Sequence, residues 1–347
     1  MLCLTLIAGA QPAGRDSLRR HAFRIAELNC ENLFDTIHTE GHDDYEFLPS
    51  AQRKWNSPKY LRKLSMLARE IAAIGQDQPA DIIALTEVET DTVLRDLTQR
   101  TNLSQLRYHH IITHGSDPRG INVALLYMEG SFRPLRYCSL NWQERTGLTL
   151  PTRDALHVSG IARSGDTLDI IVCHMPSQIG KRGAARRRKA ICSSLRAYTD
   201  SIFAHNPRAN IILIGDFNIR PNDKSLLRNL RATLADSIAT ARHNHGPACP
   251  QLYNISNLRP TPKRMATYRF KGHWEMLDQC IVSCHLLQPT ARHCLALSSL
   301  RVANLSFLLE ADRKYGGKNP WRTWQGPFYH GGFSDHLPLV VDFEYLR

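Results

Sequence analysis

Asp216 and Asn218 follow directly on Ile211-Ile212-Leu213-Ile214-Gly215, and side chains two residues apart on extended chain share a face. A carboxylate beside a carboxamide can take a proton from a water and hold a phosphate oxygen. The same residues also suit a tight turn, so this stretch alone leaves turn and site open. The pattern of an apolar run closed by a polar group recurs. Leu28 leads into Asn29, Asp81–Leu85 into Glu87, and Leu168–Cys173 into His174, while Asp335 and His336 precede Leu337–Val341. Each has a plain alternative: a turn at Asn29, a helix-cap neighbour at Glu87, a hydrogen-bonded core histidine at His174. Together, strand ends spread from residue 29 to residue 336 carry the groups that Mg²⁺ or phosphate chemistry needs. Mg²⁺ binds oxygen and keeps several waters, so one or two carboxylates and a carboxamide suffice, and the histidines stay free for substrate.

Other patterns carry less. Ser334-Asp335-His336 is not a serine triad, because adjacent side chains point apart. His243-Asn244-His245 lacks metal-site spacing and reads as loop. No GxSxG, P-loop or GxGxxG pattern occurs.

These residues need strands to carry them. Four branched apolar residues at 211–214 imply a short strand buried on both faces, since a half-exposed strand would alternate. Phe23–Leu28 reads as the first strand, with Phe23, Ile25 and Ala26 inward. Further strands are expected near 81–88, 108–113, 121–127, 158–162, 168–173, 267–272 and 276–283, and at the C-terminus. Apolar residues from Leu61 to Ile74 recur at spacings of three and four before Gly75, which predicts an amphipathic helix; another is expected over 91–100. Lys181–Lys189 holds six basic residues in nine and opens a helix with inner face Ile191, Leu195, Tyr198 and Ile202. On that stripe Arg187 and Arg188 point partly toward the sheet edge. Segments 38–58, 241–264 and 311–330 read as loops.

At 347 residues, without linker or repeat, the chain is expected to form one large α/β domain over 23–347. No window approaches the roughly 20 apolar residues of a membrane helix. The net charge of +12 favours anionic partners: nucleic acid, phosphorylated small molecules or an anionic membrane surface. Nine scattered cysteines without a CxxC pair read as core thiols. Residues 1–22 read as a signal-like or disordered segment. MLCLTLIAGAQP resembles the second half of a secretory signal lacking its basic start, so export is expected over a cytoplasmic location.

The segments LNCENLF (28–34), LTEVE (85–89), CHMPS (173–177), GDFN (215–218), MLDQCIVS (276–283) and SDHLPL (334–339) resemble, in order, those of the endonuclease/exonuclease/phosphatase family. The resemblance implies a four-layer sandwich of two packed mixed β-sheets flanked by helices, acting as a monomer. It implies Mg²⁺-dependent hydrolysis of phosphate esters, with Mn²⁺ able to substitute. The expected activity is that of a phosphodiesterase or endonuclease on nucleic acid. The alternatives are a phosphatase or lipid phosphodiesterase on inositol phosphates or sphingomyelin-like substrates, or a binding module without activity.

Carried onto this chain, Asn29 and Glu87 are expected to hold the metal, with Asp335 assisting and Glu31 nearby. Asp216 would activate water and Asn218 hold the phosphate. His336, oriented by Asp278, would stabilise charge or protonate the leaving oxygen. His174 matches a second histidine of some branches, and Arg153 a phosphate-contacting arginine. Asn122 stands where relatives often carry Asp, an acid that would polarise His174. Lys181, Arg182 and Arg187 are either phosphate-backbone contacts or a solvated helix face.

Overall fold

A computed structural model describes residues 19–142, 150–177, 183–235, 250–258, 266–289 and 293–347. In chain order the first strands are β1 (Arg20–Leu33), β2 (Ile82–Val88), β3 (Tyr108–Ile112) and β4 (Asn122–Met128). β5 (Phe132–Leu140), β6 (Ala155–Ala162), β7 (Thr167–His174) and β8 (Asn210–Asp216) follow. Then come β9 (Ala232–Leu234), β10 (Leu252–Asn254), β11 (Tyr268–Phe270), β12 (His273–Glu275), β13 (Asp278–Ser283) and β14 (Ala296–Val302). The last are β15 (Leu309–Ala311), β16 (Lys318–Pro320), β17 (Trp324–Gln325), β18 (Phe328–Tyr329) and β19 (Leu339–Leu346). The α-helices are α1 (Ser57–Ile74), α2 (Asp91–Gln99) and α3 (Ala184–His205).

Two large mixed sheets form. One runs β14-β19-β1-β2-β4-β3, the other β5-β6-β7-β8-β13-β10-β9. Their facing sides share one core, to which the first sheet gives Ile25, Ile82 and Val123 and the second Ile170, Ile212 and Cys280. The outer side of the first sheet packs Ala26, Leu28 and Ile83 against Leu64, Leu67 and Ile71 of α1. Ile171, Ile211 and Leu213 on the outer side of the second meet Ile191, Leu195 and Phe203 of α3. Central strands covered on both faces explain the unbroken apolar runs, and the result is the expected four-layer sandwich. Phe23 and Ile25 face the shared core, whereas Ala26 turns to the helix side.

Several elements differ from the sequence reading. β5 lies where no strand is expected: it is an edge strand, mostly solvent-facing and carrying Pro134, so its apolar signal is weak. β14 contains Ser298 and Ser299 and is equally quiet. Within the predicted loop 241–264, Leu252–Asn254 pairs with β13 as a strand. Residues 1–18 and His243-Asn244-His245 lie outside the described residues.

Candidate active site

Register aligns the chemistry. β7 and β8 run parallel with His174 beside Asp216, and β8 and β13 run antiparallel with Asp216 beside Asp278, so three functional groups form one row across neighbouring strands. Gly215 makes that row possible: its φ is +141°, and a Cβ there would sit 1.9 Å from the Cys173 carbonyl oxygen. Only glycine lets β7 and β8 approach this closely.

The facing sheet supplies the other groups. β1 and β2 run parallel, and the register of β2 shifts between Thr86 and Val88 against β4, which makes Glu87 a bulge residue at φ +60°. A bulge re-aims a side chain, and here it turns Glu87 toward the second sheet. Glu87 Oε1 lies 3.7 Å from His174 Nε2, while its Oε2 accepts the Asn32 N–H at 2.9 Å. Asn218 also has positive φ, +53°. Both residues hold a backbone region that non-glycine residues seldom occupy, a feature that concentrates at functional sites.

Asn29 bridges the two sheets: its Nδ2 donates to Asp216 Oδ2 at 3.3 Å and its Oδ1 accepts the Glu31 N–H at 2.8 Å. The Asn218 backbone N–H donates to Asp216 Oδ1 at 2.7 Å, and its side-chain amide donates to Asp216 Oδ2 and to the Met175 carbonyl. Burial, then the neighbouring Asp278 charge, raises Asp216 to about 7, against the opposing pull of His336 and the Asn218 N–H. A carboxyl balanced near neutrality suits proton transfer.

The two histidines have opposite surroundings. Burial alone lowers His336, but Asp278 Oδ2, 2.7 Å from its Nδ1, reverses this together with Asp216 and Asp335, and His336 ends well above the ordinary histidine range. Its ring lies against Tyr268, with centroids 4.8 Å apart. His174 is also buried, and Arg153 reaches both of its ring nitrogens, Nε to Nδ1 at 3.2 Å and Nη2 to Nε2 at 2.7 Å. Burial first, then the charges of Arg153, Arg119 and His336, hold His174 well below the ordinary range. The surroundings therefore favour the charged form of His336 and the neutral form of His174.

A pocket of about 470 Å³ gathers Glu87, Arg153, His174, Asp216, Asn218 and His336 with Asp335. Asp335 accepts from Arg322 Nη2 at 3.1 Å. Arg119, absent from the sequence reading, joins the wall and stands within 3.7 Å of Asp117. Glu27 was also missed: it is fully buried, and burial followed by the Asp278 and Asp216 charges raises it well above the carboxylate range. An acid inside the apolar run Arg24-Ile25-Ala26-Glu27-Leu28 was the available signal.

Glu31, Asn122 and Arg187 lie outside the pocket lining. Glu31 stays near Asn29 and Asp335 but is turned out of the pocket: φ is positive at Glu31 and Asn32, and the Glu31 carboxylate accepts the backbone N–H groups of Thr323 and Trp324. Asn122 is absent from the pocket wall, and its side-chain hydrogen-bond partners among the described residues do not include His174. Its Oδ1 accepts from Thr113 and Gly115, and its Nδ2 donates to the Glu89 and Gly120 carbonyls. Arg187 is half-buried on α3 and does not line the pocket. Arg188 instead turns inward and donates to the carbonyls of Pro176 and Ser177, bracing the loop after His174. Lys181 and Arg182 lie outside the described residues.

The donors suit a hard cation. Glu87, Asp216 and Asp335 line the pocket with oxygen, Asn29 adjoins Asp216, and among the described residues no sulfur lines the pocket. Asp216, Asp278 and His336 also place ligand-type atoms within 4.8 Å of one another, and there His336 Nδ1 is already hydrogen-bonded to Asp278 Oδ2.

Comparison with known proteins accords with this geometry. The model of the endonuclease/exonuclease/phosphatase family matches residues 24–345. An endonuclease/exonuclease/phosphatase family protein from Bacteroides thetaiotaomicron is similar in fold, at TM-score 0.57 and 15% identity, over 95% of this chain and 97% of that one. A mannosyl-6-phosphatase of the same organism superposes at TM-score 0.56 and 15% identity, over 92% and 99% of the two chains. D. rerio TDP2, solved with a single strand DNA product, superposes at 0.52 and 14% identity, over 93% and 98%. Comparison with curated proteins finds no match. With the family pattern spanning nearly the whole chain on the expected sandwich, this protein belongs to the endonuclease/exonuclease/phosphatase family and is a phosphoric ester hydrolase.

Proposed function

We propose that the chain is a Mg²⁺-dependent phosphodiesterase acting on nucleic acid, with Mn²⁺ able to replace Mg²⁺. The observation that carries this reading is the meeting, in one pocket, of the buried Asp216 carboxyl with the His336 imidazole held 2.7 Å from Asp278. Asp216 takes the proton of the attacking water. His336, held by Asp278, stabilises charge on the phosphoryl oxygens or gives its proton to the leaving oxygen. Arg153 and neutral His174 bind non-bridging oxygens, and Asn218 orients both Asp216 and the phosphate. Glu87 and Asn29, with Asp335 at the wall, would hold the cation, which supplies positive charge to the phosphate when bound.

The +12 charge supports a polyanionic substrate. TDP2, similar in fold, was solved with a single strand DNA product. A second reading, a phosphatase on a small phosphorylated substrate, is favoured by the two arginines Arg119 and Arg153 in one pocket, which suit a terminal dianion.

The purified full chain, given Mg²⁺ and offered plasmid DNA, RNA, sphingomyelin and inositol phosphates in parallel, is expected to cleave nucleic acid and to stop in EDTA. Turnover confined to sphingomyelin or inositol phosphates would overturn the nucleic-acid reading.

A further inference from the structure

A second, larger groove of about 1030 Å³ adjoins the catalytic pocket, and Tyr268 and Phe270 line both. A small phosphomonoester needs only a single-ligand pocket of about 300–1,000 Å³, a size the catalytic pocket already meets. The groove lies between two hairpins, β11-β12 and β15-β16. Arg269 ties them together: it donates to the carbonyls of Lys318 and Gly316, each at 2.7 Å, and pairs with Asp312 at 3.0 Å. Gly272, at φ +82°, packs its turn so tightly on Tyr315 that a Cβ would sit 2.9 Å from the Tyr315 Cβ. The groove is therefore held open by contacts within the chain.

Its charges do not cancel. Both acids are paired, Asp312 with Arg269 and Glu310 with His330 at 2.7 Å. Lys271, Arg313 and Lys314 are exposed and enter no ion pair among the described residues. Beside them, Phe270 and Tyr315 stay 44% and 46% exposed, with Lys271 Nζ 5.3 Å from the Phe270 ring and Lys314 Nζ 5.2 Å from the Tyr315 ring. Ring-plus-cation pairs on both walls of a basic groove match the chemistry of unpaired nucleic acid, whose bases stack on aromatic faces while its phosphates meet cations. A duplex keeps its base faces internal and would leave both rings unused.

We propose that this groove binds the single-stranded stretch of nucleic acid leading away from the scissile phosphate, with bases on Phe270 and Tyr315 and phosphates at Lys271, Arg313 and Lys314. This deepens the nucleic-acid reading of the catalytic pocket and rests on it.

The test uses the full chain, a fluorescein-labelled single-stranded oligonucleotide and the matching duplex in EDTA, read by anisotropy. Hydrolysis of bis(p-nitrophenyl) phosphate with Mg²⁺ is measured separately. Tyr315→Leu, which keeps the apolar contact with Gly272, is expected to weaken single-strand binding about tenfold. Lys271→Gln, Arg313→Gln and Lys314→Gln together are expected to flatten the slope of log K against log salt by about two, at roughly 0.7 per phosphate contact. Hydrolysis of the small diester should be unchanged in both variants.

If both variants cleave and bind single strands like the wild type, the groove assignment falls while the nucleic-acid reading stands. If the wild type hydrolyses the small diester but neither binds nor cleaves any nucleic acid, that reading fails and the groove assignment with it. Equal loss on duplex and single strand would overturn base stacking.

Discussion

The two walls of the catalytic pocket each present a buried histidine, and they bias its charge in opposite directions. On the β13 side, His336 meets the carboxylate of Asp278, which favours its charged form. On the β7 side, His174 meets the guanidinium of Arg153, which with burial favours its neutral form. Burial acts in the same direction on both rings, so the nearest charged partner decides the outcome. One pocket thereby holds an imidazole favoured in its charged form beside one favoured in its neutral form, which can accept a hydrogen bond from the Arg153 guanidinium.

The largest expected effects break the proton-transfer pair. Asp216→Asn and His336→Ala should each lower kcat by about 10² to 10⁴ with little change in KM, as steady-state kinetics on an oligonucleotide would show. A KM effect alone would reduce both to binding groups. Arg153→Met tests the opposite wall. It removes a charge-assisted contact, and kcat/KM should fall by about 10², chiefly through KM. Asp278→Asn sharpens the comparison. His336 acts in its charged form, which persists until pH rises through its raised value. Without the Asp278 charge that value falls, so the alkaline limb of the pH–rate profile should move to lower pH and activity at neutral pH drop about tenfold. An unmoved limb would mean that Asp278 does not set the charge on His336. The smallest effect belongs to Arg188→Met, which frees the Pro176 and Ser177 carbonyls behind His174. Stability read by urea denaturation should fall by about 2 kcal/mol, with kcat nearly intact.

How much of this was legible follows from where each residue gets its position. Asp216, Glu87 and His174 close strands buried on both faces, and a run such as Ile211–Ile214 announces itself without any partner. Strand register then carries these ends together, so local pattern and global arrangement agree. Asp278 and Arg153 came only through family resemblance, since an acid opening β13 and an arginine before β6 look ordinary alone. Glu31 shows the limit: its type and place fit a ligand, but two positive-φ residues turn it to the Thr323 and Trp324 N–H groups, and no spacing rule reveals that. Arg188 instead of Arg187 faces inward because the helix stripe runs through Ala184, Arg188, Ile191 and Leu195. The basic groove was invisible because it depends on Arg269 reaching about forty-five residues along the chain to Asp312, Gly316 and Lys318.

The most direct test of the opposed walls is a ¹⁵N NMR titration of the imidazoles in the full chain, with His336→Ala and His174→Ala assigning the two signals. The expected result is that the His336 ring stays charged above neutral pH while the His174 ring stays neutral well below the ordinary histidine value of about 6.5. Both rings titrating together near about 6.5 would contradict the account, because the Asp278 and Arg153 contacts would then set neither charge.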